Sequence, residues 1–190
     1  MFLPLWSPRV GTVALGGNRY LGNEYIKMIE VMANNILLAG NRLSVGCCVG
    51  ADSYAIQGVL NGNSGYLHNV DCFTICNEAL EGGCSLTATG LVASLAVRSF
   101  DSVRWSANLA LPLRARLAIR TGLVVQSANV AVLFFGNGVS KGTKLAACTA
   151  AKKGIPIYAF GANPPLIGKG FWVSAHFFGC NGYRWVYPKR

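Results

Sequence analysis

Acids are scarce in this chain. Seven Asp and Glu face 17 Lys and Arg, there are two histidines, and charged residues make up only 13% of 190. General acid–base work needs paired titratable groups. No Ser/His/Asp or Cys/His set is visible, so the chain reads as a binding protein rather than an enzyme, with no catalytic residue assigned. The rival reading is a nucleotide hydrolase or transferase using Asp52 or Glu78. Metal-ligand patterns are lacking too: the spacing of His68, Cys72, Cys76 and Cys84 fits no zinc motif, and buried apolar cysteine is the better reading. No metal and no cofactor is expected. No apolar run reaches the ~18 residues that suggest a membrane span. The start, MFLPLWSPR, lacks the basic lead of a secretory signal. With an odd cysteine count of seven, the thiols read as reduced, in a cytoplasmic compartment. Repeats, linkers and low-complexity segments are absent, which leaves one domain over residues 1–190.

What is present is apolar and, in one half, basic. Hydrophobic residues make up 52%. With so little charge to cover the surface, the chain is expected to form a homo-oligomer and to have both ends held down. The net charge is +10, unevenly spread: residues 98–190 carry +12 and residues 1–97 carry −2. A one-sided basic half suits a polyanion, or serves solubility alone.

Apolar segments of two periods alternate along the chain. Strands are expected over residues 10–17, 42–48, 70–76, 129–135 and 155–160. Helices are expected over 23–40, 50–62, 113–128 and 141–154, with a short one near LTATGLVASLAV and a loop through SFDSVRW. The tail reads as two strands about a GCNG turn. Uninterrupted apolar strands alternating with helices define an α/β fold. Its sheet is doubly wound, mostly parallel and Rossmann-like over residues 10–160, with a C-terminal β extension over 161–190.

In such folds ligands sit beyond the carboxyl ends of the strands, where four polar turns fall. "GGNR" supplies Gly16, Gly17, Asn18 and Arg19, with glycine for close approach and Arg19 as an anion clamp. "GCCVGAD" supplies Gly46, Gly50 and Asp52. Asp52 either favours the helix dipole or hydrogen-bonds a sugar or base. The region after Cys76 is the third turn. The fourth holds Ser140, Lys141, Gly142 and Thr143 at a helix start, either a capped helix or a phosphate cradle. Lys144 follows. Arg116 and Arg120 share a helical face beside Arg114, with no acid on their own helix, and are candidates for nucleic-acid phosphates. Aromatics crowd the tail: Phe171, Trp172, Phe177, Phe178, Tyr183, Trp185 and Tyr187. They suit a subunit interface, a core, or base stacking, the interface being favoured.

These turns resemble those of the DNA-processing protein A (DprA) family and the wider SLOG superfamily of Rossmann-like proteins. "ALGGNRYLGN" is similar to the family's strand and GSR loop, with Asn18 in place of Ser. "VGCCVGADSYAIQGVL" resembles its SGGARGID segment. "LPLRARLAIRTGL" resembles FPxRNRxIxxLS, with Arg114 and Arg116 matching the two arginines and Ala115 replacing Asn. "SKGTKLAACTAAKKGIPIYAF" resembles its last turn, helix and strand. The resemblance implies single-stranded DNA binding of the recombination-mediator type. The alternatives are a sensor or binder of a nucleotide-derived ligand, or a self-assembling structural protein. The related LOG phosphoribohydrolases carry an acid three residues after the turn threonine. Ala146 stands there, which argues against that hydrolysis.

Overall fold

The computed structural model describes residues 10–62, 64–106, 108–136 and 138–188. The expectation that both ends are held down concerns residues outside these. The strands are β1 (Thr12–Gly17), β2 (Arg42–Val45), β3 (Val70–Phe73), β4 (Val103–Arg104), β5 (Val130–Phe134), β6 (Ile157–Phe160), β7 (Phe171–Phe177) and β8 (Cys180–Val186). The helices are α1 (Asn23–Leu38), α2 (Ala51–Asn61), α3 (Thr89–Arg98), α4 (Leu113–Gln126) and α5 (Lys141–Lys153).

The strands form one eight-stranded sheet in the order β4-β3-β2-β1-β5-β6-β8-β7. Pairing is parallel from β4 to β6. It turns antiparallel at β6–β8 and β8–β7. Strands β1 to β4 are laid down outward in one direction. The chain then crosses back to place β5 on the other side of β1. Right-handed crossovers put helices made on opposite sides of that reversal on opposite faces.

The two faces carry separate cores. On one, Val13, Leu15, Leu43, Val45, Val132 and Phe134 pack against Ile29, Met32, Ala33 and Ile36 of α1 and against Ala55, Ile56 and Val59 of α2. On the other, Ala131, Leu133 and Phe135 pack against Ala146, Ala147 and Ala150 of α5. Residues of β5 therefore alternate between two oils, which is why the strand reads VAVLFF with no polar break. Spacing of three and four places the apolar residues of α1 on a single stripe. Gly154, at φ 76°, ends α5 in the left-handed region.

Three local expectations are corrected. The loop through SFDSVRW contains a 3-10 turn at Phe100–Ser102 and the edge strand β4, which is too short to show period-2 alternation. In the tail the reversal lies at Phe178 and Gly179, both at positive φ, with Phe177 opposite Cys180. Cys180, Asn181 and Gly182 are strand, because a two-residue turn of this hand matches the sheet twist. Among the aromatics favoured for an interface, Phe177, Phe178 and Trp185 are buried in the chain's own core. The hairpin prolongs both oil layers, and only Phe171 and Tyr187 of that set remain largely open.

Two glycines mark where backbones touch. A Cβ on Gly17 would lie 2.5 Å from the Phe134 carbonyl oxygen. Gly50 has φ 96°, and a Cβ there would lie 2.4 Å from Arg19 Cα. Gly50→Ala is expected to cost about 1–3 kcal/mol or more, from φ strain plus displacement of the 18–19 backbone. Urea unfolding of the variant against the parent measures this, and an unchanged midpoint would contradict the packing.

Candidate nucleic-acid interface at the strand ends

Asn18 follows β1 at the reversal point of the sheet and is buried. Its Nδ2 donates to the Gly138 carbonyl at 2.6 Å. Its Oδ1 accepts from the Thr143 hydroxyl at 2.9 Å and from the Ser140 amide at 3.3 Å. Its carbonyl accepts from the Ala51 amide at 3.1 Å, and its amide donates to the Phe134 carbonyl at 2.9 Å. One residue therefore ties the turn after β1 to those that open α2 and α5. The turns of residues 16–19, 46–52 and 140–143 stand on one rim, as the sequence reading expects. The region after β3 joins them: the Val49 amide donates to Leu86 and the Ala88 amide to Cys47.

Ser140 caps α5, its Oγ accepting from the Thr143 amide at 3.0 Å. The Ser140 and Thr143 hydroxyls lie 2.7 Å apart. Thr143 is 3% exposed, so its hydroxyl is a structural tie and not a ligand donor. The cap leaves the Lys141 and Gly142 amides at the open helix start. Lys141, Gly142 and Lys144 are exposed, as are Arg19 and Arg114. Gly16 and Gly17 are half-buried and Gly46 and Gly50 buried, lining the floor beneath.

Two predicted contacts have other work. Arg120 is 8% exposed and does not share a solvated face with Arg114. Its Nη1 donates to Asp52 Oδ2 at 2.7 Å and its Nη2 to Cys48 Sγ at 2.8 Å. The guanidinium lies across Gly46, where a Cβ would come within 1.5 Å of Nη1. Sequence reasoning missed this pair because its partners stand 68 residues apart, on α4 and α2. The glycine at 46 was the only hint of a large group passing there. Burial opposes the charge on Arg120, but the Asp52 carboxylate outweighs it and holds the guanidinium firmly protonated. Arg116 is half-buried, and its Nη1 donates to the Ile75 and Gly82 carbonyls at 2.7 Å each. It pins the loop after β3.

The nearby thiols are not poised nucleophiles. Cys48 is pushed up by its hydrogen bond with Cys47 and by burial. Cys72, fully buried, is pushed up by desolvation, and Cys76 likewise. Beside the rim, Asn77, Glu78, Ala79 and Trp105 line a hollow of about 390 Å³ beyond β3 and β4. A second, of about 550 Å³, lies away from it on the hairpin, between Ser174 and Tyr183.

Fold and rim together define a doubly wound α/β protein with glycine turns locked at its switch point and cations around them. The fold is similar to that of DNA processing protein A from Helicobacter pylori, a single-stranded DNA-binding protein. Its structure matches 84% of this chain and 68% of its own with a TM-score of 0.60 and 13% identity. The resemblance read from the sequence therefore holds at the level of fold. The molybdenum cofactor binding protein of Rippkaea orientalis is also similar, at a TM-score of 0.51 and 17% identity, over 84% of this chain and 80% of that one. No family model and no curated sequence matches the chain. No described helix is long and apolar enough to cross a membrane.

Arg120→Ala strands a buried carboxylate and is expected to lower stability by about 3–5 kcal/mol, while Asp52→Asn with Arg120→Met recovers most of it. Denaturant unfolding of the single and double variants checks this. A thiol reagent on the native chain should modify at most Cys84, Cys148 and Cys180, the partly exposed ones. Rapid labelling of Cys48 or Cys72 would contradict the site as described.

Proposed function

We propose that this chain binds single-stranded nucleic acid along the strand-end rim, as a binding module of the recombination-mediator type and not as an enzyme. One observation carries the reading. Arg19, Arg114, Lys141 and Lys144 are exposed around the starts of α4 and α5 and the turn after β1, and none of them is paired with a carboxylate among the described residues. Exposed cations beside open helix amides suit phosphate oxygens. Several such cations along an open rim suit a chain of phosphates better than one. The DNA-binding neighbour, similar in fold, supports the same reading.

In this reading the buried members of the predicted set act from beneath. Asn18, Thr143 and Ser140 hold the turns, Asp52 and Arg120 close the floor, and Arg116 fixes the loop after β3. Glycines at 16, 17, 46 and 50 let the turns approach one another. The second reading, a nucleotide-derived small ligand in the same crevice, draws on the cofactor-binding neighbour of similar fold.

Salt separates the two. A labelled oligonucleotide held by about four phosphates should show a log–log slope near −3, about −0.7 per contact. Lys141→Ala with Lys144→Ala should weaken binding regardless of base sequence and flatten the slope by about 1.4. Mononucleotides should compete poorly. A slope near zero with strong nucleotide competition would favour the small ligand. No oligonucleotide binding at low salt would end the polymer reading, and turnover of nucleoside monophosphates would refute the binding-only role.

A further inference from the structure

Among the described residues the sheet ends at β7, and this edge lacks the usual protection. All seven residues of β7 pair with β8 in unbroken register, with no bulge. Among the described residues β7 has no neighbour on its other side, and no backbone hydrogen bond joins it to any of them other than those of β8. The opposite edge, β4, is two residues long. Natural edges are blunted by brevity, lysines, prolines or bulges, because unpaired N–H and C=O groups recruit another strand. β7 reads FWVSAHF and has none of these devices. In a chain of net charge +10, this long edge carries no lysine, arginine or acid.

We propose that β7 is a self-association edge. Two copies pair it antiparallel about a two-fold axis at Ser174, joining their sheets into one. Ser174 is the middle of the seven residues, so full-length pairing sets it against itself. Val173 then faces the other copy's position 175, Trp172 faces 176, and Phe171 faces 177. No like charges meet anywhere along the seam, so two basic chains come together here without the repulsion that opposes contact through their rims. Phe171, 52% exposed, gains cover at each end. The first nine residues are poorer occupants of this edge, because Pro4 and Pro8 each remove a ladder donor. A two-fold axis normal to the sheet reverses strand direction between copies. The two basic rims then lie on opposite edges of the joined sheet, each open. A seam of one strand pair buries less than the ~1,200 Å² of a standard interface, which predicts a reversible, concentration-dependent dimer.

Sedimentation of the intact chain over a wide concentration range tests this. The parent should rise from the 20.2 kDa monomer towards twice that mass. Ser174→Lys, which sets two ammonium groups against each other at the axis, should stay monomeric with an unchanged melting curve. Ser174→Cys should give, on mild oxidation, a dimer whose linked peptide joins the two substituted positions, since opposed residues of an antiparallel pair lie within disulfide reach. A parent that remains monomeric throughout overturns the proposal. So does a Ser174→Lys chain that dimerises like the parent, or a Ser174→Cys chain that yields no such peptide. If deleting residues 1–9 turns a monomer into a dimer, the edge belongs to that segment and the proposal is again overturned.

Discussion

The rim depends on the side chain of Asn18. An amide has two donors and an acceptor oxygen with two lone pairs. Here the group is buried and spends a donor and its acceptor oxygen on the one turn, Gly138 to Thr143, that opens α5. The backbone of the same residue reaches the turn that opens α2. A buried amide left unpaired is costly, so the three turns hold one arrangement or lose it together. The glycines follow from this. Turns drawn so close leave no room for Cβ atoms at positions 17, 50 and 136.

Beneath that clasp, Asp52 and Arg120 join helices from opposite faces of the sheet. Arg120 reaches past the end of β2 only because position 46 has no side chain. A buried pair of this kind adds little net stability over an apolar substitute, but it is expensive to break. Its effect is therefore to hold α2 and α4 in one relation. Other cations of the basic half are absorbed in the same way. Arg104 joins Arg42 on Asp71, and Lys153 donates to carbonyls at the end of α4. What remains exposed and unpaired with a carboxylate among the described residues is a smaller set than the net charge suggests, and Arg114, Lys141 and Lys144 of that set stand at the starts of α4 and α5.

The C-terminal hairpin extends the parallel sheet with two antiparallel strands. It inverts strand direction, continues both oil layers with Phe177 on one face and Trp185 on the other, and leaves β7 as the edge strand among the described residues. An aromatic-rich tail is thus first a lid on the chain's own core, and its outer edge is what is left for other contacts.

Much of this was legible in the sequence because it is periodic. Helical stripes such as Ile29, Met32, Ala33 and Ile36, and unbroken strands such as VAVLFF, declare element type and two-sided burial by spacing alone. The glycine-rich turns declare the strand ends. Short elements were not legible: β4 has two residues and no period to show. Nor were side-chain partners distant in sequence. Arg116 and Arg120 look alike on a helical wheel, yet one pins a loop and the other lies in an ion pair. Asn18 reads as a ligand contact until the turns it holds are seen beside it. Local spacing determined which segments are strands and helices, because that depends on neighbours three or four residues away. Which cations face water was decided only by the tertiary structure, because burial and pairing depend on groups brought together from far along the chain.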